Sequence, residues 1–375
     1  MSVVETRAAP VGTAVERAQR IVSGLAELGA RYDAAPVFPV ESMKLLRDAG
    51  LHRTFAPPEA GGEPFADRHS QYAAMLSVLR LIGRGDLSVG RLFEGHVNAM
   101  LLFDWFGTAA QHSTLRRMLD TGAFYGVWAT EPPPGVQLLP DDAGWTLNGA
   151  KSFASGAGGL AKAVITAQPD TGSRRLVIVD ASDPARADLS QWRVRGMRAT
   201  GSGRYELSDM MVSDDALLGV AGDYDRDPDF TAGAWRFTAV QLGGMEALLI
   251  ETREAMTQAA REDPLQRAKF ADAVATTRTA YLWVRECAAR AAAQDRDGPA
   301  FARMVRGVVE RAALDVMELA SCIVGTRSAM DGQRIDKIIR DLSLYLRQAG
   351  PDYARDQAAI AWLDHDAWGD GDALW

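Results

Sequence analysis

The sequence predicts a multi-domain α+β protein: an N-terminal helical domain (residues 1–122), a central small β-barrel or sandwich (123–221), and a C-terminal four-helix bundle with an acidic tail (222–375). Three observations predict it. Apolar residues recur at helical spacing through the first third of the chain. Short runs rich in Val, Ile, Trp and Thr, parted by turn residues, fill the middle. Long helical patterns with short connections then return, as in an antiparallel bundle. With 375 residues, the chain also exceeds the roughly 250–300 at which one hydrophobic core stops growing.

In the first domain, Val15, Ala18, Ile21, Val22, Leu25 and Leu28 follow the i, i+3, i+4 spacing of one helix face. FPVESMKLLRDAG predicts a second helix, with Pro39 in its first turn and Gly50 as its left-handed cap. APPEAGGEP is a loop, because prolines and glycines sustain neither ladder nor helix. Helical patterns cover roughly 68–81 and 87–105. The β-unit is predicted from GWTLNGAKSF, AKAVITAQ, RRLVIVDAS, WRVRGMRA and RYELSDMMVS. GDYDRDPDFTAG (222–233) reads as a polar linker. Helices are expected over about 235–261, 265–294, 299–321 and 334–348, the first of them roughly 40 Å long at about 1.5 Å per residue. The tail from Asp352 is acidic and carries Trp362, Trp368 and Trp375.

Composition excludes several classes. A net charge of −8, with Lys and Arg scattered, argues against a nucleic-acid-binding face. No apolar run reaches the ~18 residues of a membrane span, and MSVVETRAAPVGTAVERAQ has no signal-like apolar core, so a cytoplasmic protein away from membranes is expected. Cys287 and Cys322 form no CxxC pair and are expected as reduced, buried thiols. His52, His69, His112 and His365 show no ligand spacing, so no metal site is expected. No GxSxG elbow is present.

The stretch from Tyr125 to Gly159 decides the cofactor. Gly156–Ala161 fits GxGxxA, and Asp180 lies about where a ribose-binding acid would sit in a dinucleotide fold. That fold needs a helix after the glycines, whereas AKAVITAQ is short, β-branched and cut off by Pro169. The alternative is a β-domain rim that holds a flat ring by backbone N–H groups and hydroxyls. Thr130 and Ser155 are the available hydroxyls, beside Trp128 and Phe153. Both hydroxyls would equally suit turn capping.

Four segments in order give the chain a resemblance to the acyl-CoA dehydrogenase family over nearly its full length: FPVESMKLLRDAGL…APPEAGG, WATEP, GWTLNGAKSFASGA and GMRATGSGRYELSDMMVSDDALLG. The resemblance implies FAD, with FMN or free reduced flavin as alternatives. Trp128, Ala129, Thr130, Phe153, Ala154 and Ser155 would then face the flavin ring. Ser155 would stand near flavin N5, where a hydrogen bond worth about 1 kcal/mol net biases the ring's electron affinity. Arg261 would meet the pyrophosphate across a subunit interface, and Gly325–Thr326 would meet the cofactor as a glycine turn. A homodimer or homotetramer is implied.

The sequence departs from that family at the catalytic base. The glutamate that removes a proton beside the thioester carbonyl is replaced by Ala349 at one family position and by Trp235, beside Arg236, at the other. A positioned base contributes about 10²–10⁴-fold. TEPPPGVQ and the short REDPLQRAKF turn are further departures. The family default, dehydrogenation of an acyl-CoA or a similar small substrate, therefore competes with oxygenation by reduced flavin, which calls for a flavin reductase or electron-transfer partner. A catalytically silent acyl-binding relative is the third reading. His96, Ser155 and Arg236 are the candidate catalytic residues. His96 sits in an apolar helix and is the side chain best suited to proton exchange near neutral pH. Glu94, Asp104, Glu131 and Glu246 are the acids in or near site-facing segments.

Overall fold

The computed structural model describes residues 11–141, 144–348 and 350–363. Six helices open the chain: α1 (Ala14–Ala34), α2 (Val40–Asp48), α3 (Leu51–Thr54), α4 (Arg68–Gly85), α5 (Leu87–Phe106) and α6 (Ala109–Asp120). Thr13 and Glu16 form a capping box that starts α1. Of the face read from sequence, Ala18 and Leu25 are fully buried, while Val15, Ile21 and Val22 pack at its edge. The core strut is α5. Sixteen of its residues are buried, so it is apolar almost all round, as a helix enclosed by others must be.

Ten strands follow: β1 (Tyr125–Trp128), β2 (Gln137–Asp141), β3 (Gly144–Asn148), β4 (Ala150–Ala154), β5 (Lys162–Pro169), β6 (Arg175–Asp180), β7 (Ala187–Asp188), β8 (Gly203–Glu206), β9 (Met210–Val212) and β10 (Leu217–Leu218). They form a seven-stranded sheet in the order β10-β6-β5-β2-β3-β9, with β1 parallel to β5, and a three-stranded sheet β4-β8-β7. AKAVITAQ is thus strand β5, and Gly156–Ala161 lead into a strand rather than a helix, which removes the dinucleotide-loop reading. WRVRGMRA, expected as a strand, is instead loop ending in a 3₁₀ turn over Arg198–Thr200. A Cβ at Gly196 would lie 2.0 Å from the Arg340 carbonyl oxygen. The segment is pressed against a helix, with no room for a ladder partner.

The chain ends in α7 (Asp229–Ala232), α8 (Trp235–Ala255), α9 (Gln258–Glu262), α10 (Pro264–Ala292), α11 (Gly298–Val324), α12 (Arg334–Tyr345) and α13 (Pro351–Leu363). The expected first bundle helix breaks at Met256, whose backbone is extended. The tail is a helix through Leu363 and carries Trp362; Trp368 and Trp375 lie outside the described residues. The crossing of α4 and α8 is close because it is made by glycines. A Cβ at Gly83 would lie 2.3 Å from the Val240 carbonyl oxygen, and one at Gly243 would lie 2.1 Å from that of Arg80. Cys287 is buried as expected, but Cys322 is exposed; both are unbridged.

Candidate functional site

The site is built on a fault in β4. Its pairing with β8 slips between Lys151 and Ala154, and there Phe153 takes φ +52°. A bulky residue in the left-handed region is strained, and a bulge re-aims the side chains around it. Phe153 stands 64% exposed, while Ala154 is fully buried. The Ser152 amide donates to the Thr130 carbonyl at 2.9 Å, so the two motif segments form one edge. Thr130 is exposed and Ser155 sits just below the surface. The edge therefore brings together Thr130, Phe153 and Ser155, with Ala129 half-buried beside them.

Trp128 and Ala154 are buried and do not offer side chains to this edge. Trp128 is buried, its indole donates to the Ser155 carbonyl at 3.1 Å, and its ring packs on Tyr205. It holds Ser155 in place from beneath. Glu131 plays a similar part. It pairs with the buried Lys151, which also donates to Thr166 at 3.0 Å. Burial pulls the Lys151 ammonium below its ordinary value, and Glu131 opposes that shift.

Behind Ser155 runs a line of buried polar groups that the sequence did not reveal. Ser155 Oγ lies 2.8 Å from Ser202 Oγ, Ser202 Oγ 2.9 Å from Thr200 Oγ1, and Thr200 Oγ1 2.9 Å from the Met197 carbonyl. The Met197 amide donates to Asp341 at 2.5 Å. Asp341 shares Lys337 with Asp86, at 2.6 and 2.7 Å. Asp86 in turn caps the start of α5 through the Val89 amide. Burial opposes charge on Lys337, but its two carboxylate partners win and hold its pKa above the usual lysine value. One buried ion triad thus fixes α5, α12 and the turn that carries the hydroxyls.

A second polar cluster lies along α5. Arg236, at the start of α8, is 2% exposed. Its Nε donates to Asn98 at 2.5 Å. Asn98 donates to Glu94, which pairs with Arg91 at 2.7 Å. Nη1 of Arg236 is buried without a hydrogen-bond partner among the described residues. The guanidinium lies 5.9 Å from the ring centroids of both Trp105 and Phe230, and burial lowers its pKa. The two clusters share α5. A Cβ at Gly156, next to Ser155, would meet Leu92 at 3.1 Å, and Asn98 lies roughly 9 Å farther along the helix axis at about 1.5 Å per residue.

His96, a candidate for proton exchange, has both ring nitrogens occupied in the structure. It contacts the His52 carbonyl through Nε2 at 2.5 Å and accepts from the Tyr125 amide through Nδ1 at 3.0 Å. This is a neutral tautomer with both nitrogens occupied. Burial brings its pKa down to about 3, far below 6.5. A depressed histidine pKa leaves the unfolded chain holding more protons between those values, so stability falls as pH falls through that window. From pH 6.5 to 5 this residue alone is expected to cost about 2 kcal/mol. His96→Gln, which keeps a donor and an acceptor, is expected to lose that slope in urea unfolding. An unchanged slope would refute the assignment.

Glu246 pairs with Arg80 and Arg84, both at 2.6 Å. Asp104 lines a shallow surface groove with Glu59 and His112. Arg261 is exposed and turns its guanidinium onto the Arg253 and Met256 carbonyls, closing the end of α8. Gly325 ends α11 at φ +69°, with open space where a side chain would stand, and Thr326 is exposed beside it. Ala349 lies outside the described residues. Among the described residues, no group of three His, Cys, Asp or Glu is placed for a metal, and no helix is long and apolar enough to cross a membrane.

Comparison with known proteins bears on this site. Residues 229–354 match the family model for the acyl-CoA dehydrogenase C-terminal domain. YdbM of Bacillus subtilis (strain 168), named as a candidate acyl-CoA dehydrogenase, is 28% identical over 54% of this chain and 55% of its own length. A dibenzothiophene monooxygenase of Mycolicibacterium goodii is 30% identical over 50% and 47%. The match thus spans about half the length of these curated relatives. The crystal structure of FMN-bound TdsC from Paenibacillus sp. A11-2 superposes with a TM-score of 0.83, at 20% identity, over 94% of this chain and 97% of that one.

Proposed function

We propose that this chain, whose residues 229–354 match the acyl-CoA dehydrogenase C-terminal domain, is a divergent member of that family and a flavin-dependent monooxygenase of a small organic substrate. The observation that carries the reading is the fate of the acids. Glu94, Glu131 and Glu246 are each held by a cation, Asp104 lies in a surface groove, and the rim itself offers hydroxyls. Removing a proton from carbon needs a free, positioned base. Bound reduced flavin would supply two electrons to dioxygen, one of whose oxygen atoms would go to the substrate while the other leaves as water, and that chemistry asks for no such base.

The rim fits a flat ring. The exposed, strained Phe153 would cover one face, and Thr130 and Ser155 would meet its polar edge. The monooxygenase name of the Mycolicibacterium relative and the FMN bound by TdsC support this chemistry. FMN is the better fit than FAD, because Arg261 is engaged with the end of α8. Arg236 and the aromatic rings around it would receive the substrate, with the guanidinium directed at an oxygen. A flavin reductase would supply the reduced cofactor. Val274 and Leu282 on α10 and Ile360 on α13 are exposed apolar residues on the bundle surface, suited to pairing between copies.

Anaerobic titration with FMN and FAD, followed by a panel of acyl-CoAs, tests this. The expected result is that FMN binds more tightly than FAD, that no acyl-CoA bleaches it, and that FMN reduced by an added reductase drives oxygen uptake coupled to product. Bleaching by any acyl-CoA would restore the dehydrogenase. Tight flavin binding without any coupled turnover would favour the silent relative.

A further inference from the structure

We infer that the Ser155–Ser202–Thr200 hydroxyl chain has a fixed polarity that makes Ser155 a hydrogen-bond acceptor toward the cofactor, so that this rim selects reduced over oxidised flavin. The inference rests on the flavin reading above, and the direction follows from the far end of the chain. Thr200 Oγ1 lies 2.9 Å from the Met197 carbonyl oxygen. Two oxygens at that separation need a proton between them, and a carbonyl has none to give. Thr200 therefore donates. Each hydroxyl carries one proton, so Thr200 accepts from Ser202, 2.9 Å away. The Ser202 proton is then spent, and the 2.8 Å contact between Ser202 and Ser155 has Ser155 as its donor. All three residues are at least nine-tenths buried, so water does not compete for these protons. Ser155 Oγ has no other partner among the described residues and turns only lone pairs outward.

That polarity matters if the part of the ring's polar edge that Ser155 meets is flavin N5. The oxidised ring presents a lone pair there, and the reduced ring an N–H. A lone-pair-only oxygen bonds the reduced form and repels the oxidised one. Ser202 and Thr200 are thus positioning residues. They do not touch the cofactor but decide what Ser155 offers it. The turn that holds them is anchored independently, since the Gly156 amide donates to the Thr200 carbonyl at 2.7 Å and the Met197 amide to Asp341.

The test is the ratio of dissociation constants for oxidised and reduced FMN, measured anaerobically on the whole chain. Ser202→Ala removes the acceptor and frees the Ser155 proton to point outward. The ratio Kd(oxidised)/Kd(reduced) is expected to fall about five- to tenfold, and tenfold is about 30 mV for a two-electron couple. Thr200→Val should act the same way, because Ser202 can then donate back to Ser155. Thr200→Ser should restore the wild-type ratio, which a general loosening of the turn would not do. Both flavin forms bound with an unchanged ratio in Ser202→Ala and Thr200→Val would overturn the polarity alone. A wild-type protein that binds neither form would overturn the flavin reading itself, and this inference with it.

Discussion

Replacing Lys337 by methionine is expected to cost about 3–5 kcal/mol of folding stability, the range typical of removing one partner from a buried ionic cluster. Lys337 is 9% exposed and sits between Asp86 and Asp341, which are 5% and 1% exposed. Without it, two buried carboxylates face each other with no cation. In the wild type the sign is fixed by the raised lysine pKa. The stabilisation is complete below the unfolded value of 10.5 and is lost as pH rises through the higher folded value. In the variant the carboxylates take control. Burial already pushes Asp341 up from 3.8 while Lys337 pulls it back. With the lysine gone, the folded state should bind protons more readily than the unfolded chain, so the variant recovers stability as pH falls. Urea unfolding of both proteins near pH 8 and pH 5 should show the gap narrowing at the lower pH. A gap below about 1 kcal/mol, or one independent of pH, would mean the triad does not anchor α5, α12 and the hydroxyl turn as described.

What the sequence disclosed, and what it did not, follows the range of the interactions. The helix–β–helix order was legible because periodicity is local. WATEP and KSFASGA were likewise legible as segments, and the Ser152–Thr130 backbone bond pairs them. The triad was not legible, because Asp86 and Lys337 are 251 positions apart and each alone looks like a surface charge. Ser202 reads as an ordinary turn residue until Ser155, 47 positions earlier, is brought beside it. Helix α13 escaped because its buried face consists of Ala354 and Ala358, an i, i+4 pair too small to register as an apolar stripe. WRVRGMRA misled for the opposite reason. Its alternation imitates a strand, but Gly196 and Met197 serve a close approach to α12 and a left-handed turn, with Met197 at φ +54°. His96 was rightly placed on an apolar helix. Only the fold shows both of its ring nitrogens bonded.

Arg236→Met is expected to separate stability from activity. A guanidinium with no carboxylate at salt-bridge distance among the described residues is expensive to bury, and apolar replacements of buried charges are often neutral or stabilising. The methionine would lose one hydrogen bond to Asn98, a penalty of about 1–3 kcal/mol for the acceptor left behind. It would also remove the desolvation cost and the orphaned Nη1. These terms nearly cancel, so the melting temperature should stay within a few degrees. Turnover should not survive as well. If Nη1 holds a substrate oxygen in a water-poor pocket, losing a charged hydrogen bond of about 1.5–3 kcal/mol lowers kcat/KM by roughly 10- to 200-fold. FMN binding should be unaffected, since Arg236 lies along α5 from the rim and not on it. Arg236→Lys should recover little, because an ammonium cannot reproduce the planar fork. A large stability loss with proportionate loss of activity would make Arg236 a structural residue. Wild-type turnover in a stable Arg236→Met protein would show that the buried guanidinium is no substrate anchor, and that the aromatic rings around it are simply core. A residue that costs stability and returns only function is the signature of a site, and in this molecule Arg236 is where that signature is most directly measurable.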